Sequence, residues 1–161
     1  MIFTKDKITV KLYDSRKEMG EIAASDTAAK IEELLLVKDE INIIFAAAPS
    51  HNEFLASLVK ETRIDWSRIN AFHMDEYIGL EEDAPQRFGH FLKESIFGKV
   101  PFKQVNYING KALPSEECAR YEALLKQYPA DIVCLGIGEN GHIAFNDPHV
   151  ADFKDPQAVK I

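Results

Sequence analysis

Hydrophobic positions along the chain fall into three continuous runs, separated by stretches where they recur at helical spacing. The runs INIIFAAA (41–48), INAFHMDEY (69–77) and DIVCLGIG (131–138) predict strands buried on both faces. ITVKLYD (8–14) alternates apolar and polar residues, and VNYI (105–108) is short and apolar; both predict strands. Ser15 with Glu18 forms a capping box that opens a helix to about residue 37. Pro49 and Ser50 break the first run, and Ser50 with Glu53 forms a second capping box that opens a helix to about residue 62. Further helices are predicted over 86–97, after Pro85, and from Pro114-Ser115 to about residue 128. DPQAVKI (155–161) turns at Pro156 and begins what reads as another strand. Strands and helices therefore alternate, with three central strands that read as parallel. The fold class this predicts is α/β: a Rossmann-like three-layer αβα sandwich with a mostly parallel sheet. Residues 1–161 contain no repeat or linker and read as one domain. The stop within a strand predicts that the C-terminal part of a larger domain lies beyond Ile161.

Composition narrows the partners. A formal net charge of −7 counts against a general nucleic-acid binder. No apolar run approaches the roughly 20 residues that cross a bilayer, and the mixed MIFTKDKITVKLYD start is not a signal peptide. Cys118 and Cys134 show no CxxC spacing and read as reduced thiols of a cytoplasmic protein. The five histidines include no HExxH and no pair at helical spacing, so no metal site is expected.

In open α/β sheets, ligands bind beyond the carboxyl ends of the strands. Three unusual stretches fall there: AAAPS (46–50), HMDEY (73–77) and GIGENGH (136–142). Asp75 and Glu76 are adjacent on an extended strand and point to opposite faces, so one of them serves as a base. Asp75, at the mouth of a buried strand, is the candidate whose pKa burial would raise; the bland alternative is a solvated strand end. Gly138 and Gly141 permit positive φ and close backbone approach, and they hold His142, a residue type suited to relaying protons. Asp147 is placed to orient the His142 ring; the alternative is a glycine turn with its histidine bonded to backbone. The GxGxxG at Gly136, Gly138 and Gly141 is a weak dinucleotide signal, with no βαβ unit after it to examine. Ala47, Ala48, Pro49 and Ser50 lack the glycine and lysine of a phosphate loop, leaving backbone amides and Ser50 to meet an anion, or Ser50 as a plain helix cap. His51, His90, His149, Arg87 and Lys93 read as packing or solvated residues. His73 shares a side with Asp75 only if the strand bulges.

FHMDEYIGL (72–80) and LGIGENGHIAFNDP (135–148), about sixty residues apart, resemble the glucosamine-6-phosphate deaminase (isomerase) family. The likeness runs from the first capping box to the end of the chain. The resemblance implies an aldose–ketose isomerisation with loss of ammonia, from glucosamine 6-phosphate to fructose 6-phosphate, in amino-sugar catabolism and without metal or organic cofactor. It implies Asp75 as the base between C2 and C1, His142 as the ring-opening histidine and Asp147 as its support, where the family commonly has glutamate. It further implies residues 47–50, Glu76, Gly138 and Gly141 around a small sugar phosphate. Homo-oligomerisation stays open.

Three departures keep alternatives in view. Asn140 stands where the family usually has aspartate, and an amide cannot take a proton. Asp147 reaches one methylene less far than glutamate. The phosphate loop carries alanines where glycine and threonine are usual. A sugar-phosphate sensor without catalysis, or a hydrolase like the 6-phosphogluconolactonases of the same fold, remain alternatives to the deaminase.

Overall fold

The computed structural model describes residues 1–161. Its centre is a four-stranded parallel sheet in the order β5-β4-β3-β6, formed by β3 (Ile41–Phe45), β4 (Ile69–His73), β5 (Gln104–Asn106) and β6 (Ile132–Cys134). The register pairs Ile41 with Ile69 through Phe45 with His73, and Ile43 with Ile132. The three apolar runs are adjacent strands. β4 and β3 lie inside the sheet, as apolar parallel strands covered by helices should. β6 is at the edge with Val133 exposed, so the expected burial on both faces does not hold for it.

Alternation along β3 separates the two layers. Ile41, Ile43 and Phe45 are fully buried with Ile69 and Ala71 of β4, under α1 (Arg16–Leu35) and α2 (Asn52–Leu58). Gly20, Ala24, Ala28 and Ile31 form the buried stripe of α1. A methyl at Gly20 would lie 2.8 Å from the Phe54 backbone nitrogen, so the missing Cβ lets α2 approach closely. α3 (Phe88–Leu92) continues as a π turn (Lys93–Phe97) and adds Leu92, Ile96 and Phe97 to this core. On the opposite face, α4 (Pro114–Gln127) sets Tyr121 edge-on against Phe72. Helices therefore lie on both faces, as the alternating pattern predicts.

The first capping box is formed: Ser15 Oγ accepts from the Glu18 amide at 3.1 Å. The second is not. Ser50 falls inside a 3-10 turn (Pro49–His51), and the Glu53 carboxylate turns to Arg16 at 2.8 Å, so α2 begins at Asn52 and ends at Leu58. The strand expected over 8–14 is half of an antiparallel hairpin, β1 (Ile2–Lys5) with β2 (Ile8–Lys11), separate from the main sheet. Its tight turn places Asp6 at φ 53°, a conformation that aspartate tolerates better than most residues. Residues 155–161 form bends and irregular backbone, not a strand; Lys160 folds back onto Asp155 at 2.5 Å.

Candidate active site

The site lies beyond the carboxyl ends of β3, β4 and β6. After β4, Asp75 faces a cleft of about 790 Å³ that Tyr77, Tyr121, Ile143 and Phe145 also line. Burial, aided by the neighbouring Glu76 charge, raises the Asp75 pKa to about 6. A carboxylate poised there can accept a proton near neutrality and return it.

Glu76 goes the other way. Its side chain is completely buried: Oε1 accepts from the Tyr77 and Phe88 amides, each at 3.0 Å, and Oε2 accepts from the Gly89 amide at 3.0 Å and Arg87 Nε at 3.3 Å. Arg87 is 11% exposed, so it is no solvated helix residue. The two acids do part, but not as neighbours on a strand: β4 ends at His73, Met74 is a bend, and Asp75 and Glu76 lie in the loop after it. The carboxylate of Glu76, expected to meet substrate, is taken up by the start of α3, although the residue still lines the cleft beside Asp75.

After β6, the glycine loop is shaped around His142. The Gly138 amide donates to the His142 carbonyl, and the Gly141 amide to the Gly138 carbonyl, both at 2.9 Å. Gly141 has φ 86° and needs to be glycine on that ground. A Cβ at Gly138 would overlap the His142 imidazole, which lies flat over that residue.

Asn140 Oδ1 takes hydrogen bonds from the His142 amide (3.2 Å) and ring Nδ1 (2.6 Å), while Asn140 Nδ2 donates to Asp147 Oδ1 at 2.9 Å. Since the amide oxygen can only accept, the ring proton sits on Nδ1 and leaves Nε2 as the acceptor. Asp147 is 3.5 Å from the same ring nitrogen, beyond a good hydrogen bond. Asp147 was expected to orient the ring. The direct orienter is Asn140, with Asp147 behind it.

The third stretch lies beside the glycine loop. A Cβ at Gly136 would be 3.8 Å from Ser50 Oγ and 3.5 Å from the His51 ring. Ala47 and Ala48 are half-buried, and Pro49 and Ser50 exposed. Arg16 donates to the Pro49 carbonyl at 2.9 Å and pins the loop to α1. His51 is buried, not solvated; burial lowers its pKa, with the Leu135 carbonyl pulling the other way, and its Nδ1 has no partner.

Asp75 and His142 do not open into one cavity. His142, with Gly141, lines a hollow of about 360 Å³, and Ile143 and Asn146 are common to both spaces. What joins the two loops is aromatic: Phe145 packs 5.5 Å from Tyr77 and 5.7 Å from Phe88 between ring centroids. Ala144, before it, is held at φ 53°, a conformation of a few per cent of non-glycine residues that collects at functional sites.

Sequence reasoning missed four residues behind Asp75. His73, 1% exposed, bonds Asp75 O and the Ile108 amide; Tyr121 bonds the His73 backbone; Glu117 accepts from the Asn109 amide at 2.7 Å and pairs with Arg120. Only His73 left a signal, a polar residue closing an otherwise apolar run.

Fold and site together define an α/β protein with a carboxylate and a histidine on two neighbouring loops at the carboxyl edge of its parallel sheet. A family model described as glucosamine-6-phosphate isomerases/6-phosphogluconolactonase matches residues 14–156, and the chain belongs to this family. It is 37% identical over 130 residues to a glucosamine-6-phosphate deaminase of Listeria innocua, covering 80% of this chain and 56% of the relative. A solved monomeric glucosamine-6-phosphate deaminase superposes with a TM-score of 0.77 at 29% identity, covering 89% of this chain and 60% of that one. A 6-phosphogluconolactonase from Thermotoga maritima superposes at 0.74 with 25% identity, covering 84% and 62%. The chain thus spans little more than half the length of the curated relative it matches. No helix is long and apolar enough to cross a membrane.

Proposed function

We propose that the chain carries the acid–base half of an amino-sugar-phosphate isomerase/deaminase that converts glucosamine 6-phosphate to fructose 6-phosphate and ammonia. One observation carries this reading: a half-buried carboxylate, Asp75, poised at about pH 6 in the cleft at the end of β4. In the ring-opening step His142 Nε2 takes the proton from the C1 hydroxyl, the C1–O5 bond breaks as the aldehyde forms, and the imidazole returns that proton to O5, while Asn140 holds Nδ1–H and Asp147 holds Asn140. Asp75 then takes the proton from C2 and returns it to C1. Water enters at C2 and ammonia leaves, so the carbon skeleton is neither oxidised nor reduced overall. Ala47, Ala48, Pro49, Ser50, Gly138 and Gly141 border the substrate and phosphate. Each acid–base contribution is worth about 10²–10⁴-fold.

The test is release of ammonia and fructose 6-phosphate from glucosamine 6-phosphate by the full-length polypeptide, with Asp75→Asn alongside. Turnover that Asp75→Asn abolishes supports the proposal. Turnover that survives it removes Asp75 from the proton transfer. The likeness to the Thermotoga maritima lactonase favours a second reading, lactone hydrolysis at the same cleft, so 6-phosphogluconolactone is the companion substrate. Binding of sugar phosphates without turnover of either substrate leaves a sensor.

A further inference from the structure

The β4–β5 ladder pairs Asn70 with Gln104, Ala71 with Val105 and Phe72 with Asn106, and there it stops. The strands part at His73, two residues before Asp75. No further ladder rung bridges the two strands there. Tyr121 Oη, reaching in from α4, accepts from the His73 amide at 3.0 Å; its own proton faces the His73 carbonyl at 2.8 Å and the Asn106 carbonyl at 3.2 Å. The His73 imidazole spans the remaining distance. Its Nδ1 contacts the Asp75 carbonyl at 3.0 Å, and its Nε2 accepts from the Ile108 amide at 2.9 Å. One side chain thus ties the backbone of Asp75 to the segment that follows β5.

We propose that the His73 imidazole and the Tyr121 hydroxyl form a wedge between β4 and β5 that sets where the Asp75 carboxylate stands, making both of them positioning residues for the proton transfer. The role as stated rests on the function proposed above.

The chemistry of the wedge is demanding. Donating to a carbonyl at Nδ1 while accepting an amide at Nε2 requires the neutral Nδ1–H tautomer. Burial supplies it, lowering the His73 pKa to about 4 against the opposing pull of the Glu76 and Glu117 carboxylates, with Arg87 adding to the depression. Tyr107 and Tyr121 pack edge-on against the ring, at 6.0 and 6.3 Å between centroids. His73 therefore keeps one proton and one pair of partners across the range in which Asp75 titrates. Burial likewise raises the Tyr121 pKa and keeps its hydroxyl protonated. The wedge holds its hydrogen bonds while the group beside it changes charge. Placement matters because a shift of about 1 Å at a reacting group costs on the order of 10²-fold.

The test compares Tyr121→Phe, His73→Phe and His73→Asn with the wild type in two measurements: the titration midpoint of the Asp75 carboxyl by ¹³C NMR, and kcat with KM for glucosamine 6-phosphate. Tyr121→Phe removes one oxygen and keeps the ring. His73→Phe keeps bulk without either hydrogen bond, and His73→Asn restores a donor near the Nδ1 position. The expected result for both Phe variants is a downward shift of the Asp75 midpoint by about one pH unit, as water reaches a loosened carboxylate. kcat should fall about 10- to 100-fold with KM nearly unchanged, and His73→Asn should recover part of both losses. A folded Tyr121→Phe protein with the wild-type Asp75 midpoint and kcat overturns the wedge, whether or not His73→Phe folds. Absence of turnover in the wild type refutes the catalytic reading alone; the midpoint shift still decides whether the wedge sets the environment of Asp75.

Discussion

Glu76→Gln separates a scaffold acid from a substrate ligand. The wild-type carboxylate is wholly buried and uses both oxygens as acceptors, two hydrogen bonds to each. Glutamine keeps one accepting oxygen and turns an NH₂ group towards two of these donors. If the amide oxygen stays with Tyr77 and Phe88, the Gly89 amide and Arg87 lose their acceptor. Hydrogen bonds to a charged group contribute about 1.5–3 kcal/mol each. Breaking a buried ion pair by removing one partner costs about 3–5 kcal/mol, and the two estimates overlap because they count the same contacts. The expected destabilisation is therefore about 3–5 kcal/mol at pH 7, read by urea unfolding followed by circular dichroism. In a domain of this size that corresponds to a fall in Tm of about 6–20 °C. A Glu76→Gln protein within about 0.5 kcal/mol of wild type would refute the scaffold assignment. Weakened sugar-phosphate binding at unchanged stability would return Glu76 to the substrate.

Asp75→Asn should stabilise the fold above pH 6. A carboxyl whose folded pKa is raised favours the native state below its unfolded value near 4, and that contribution is lost as pH rises through about 6. Allowing for solvent access to the cleft, the gain at pH 8 is about 1–2 kcal/mol, seen by urea unfolding and absent at pH 4. Turnover in the wild type should rise with pH through the same midpoint, as Asp75 loses its proton; a rate that is flat from pH 5 to 7 excludes Asp75 as the base. Asn140→Asp sets a second carboxylate at hydrogen-bond distance from Asp147. Repulsion between these part-exposed groups should cost about 1 kcal/mol at pH 7, vanish near pH 4 and be relieved by the double change Asn140→Asp/Asp147→Asn. Additive single and double effects would show that residues 140 and 147 do not interact. Gly138→Ala pushes a methyl into the His142 ring, so NMR should report a displaced imidazole and turnover should fall by about 10-fold or more, with global stability nearly kept.

What the sequence disclosed, and what it withheld, follows the range of each interaction. The sheet core was legible because apolar runs such as INIIF report burial directly, and the capping box at Ser15 is local chemistry three residues long. Ser50 carried the same local pattern and failed, because Arg16, distant in sequence, competes for Glu53. Residues 155–161 read as a strand on local grounds, but a strand needs a partner, and no sheet edge receives them. The site divides in the same way. The two loops that carry Asp75 and His142 were visible as unusual stretches at strand ends, where the fold class sends ligands. The raised pKa of Asp75 was legible with them, since burial at a strand mouth is a local inference, but the partners of Glu76 and His73 were not, because they come from residues farther along the chain. Arg87 and the amides at 88 and 89 claim Glu76, and Ile108 and Tyr121 fix the strand end that carries Asp75.

Asn140 shows how a substitution that looks like a loss in sequence can be a rearrangement in space. Read alone, an amide in an acid's place removes a proton acceptor. In the folded loop it is the one group within hydrogen-bond reach of both His142 and Asp147, accepting from the first and donating to the second. Neither a carboxylate nor an aliphatic side chain can do both at once near neutral pH. The shorter Asp147 belongs to the same arrangement. It has only to reach Asn140, and it does so at 2.9 Å, while the imidazole lies farther off at 3.5 Å. Asn140 and Asp147 thus form one chain of contacts: the Asp147 carboxylate stands one link back from the histidine, and the Asn140 oxygen at ring Nδ1 leaves Nε2 as the acceptor.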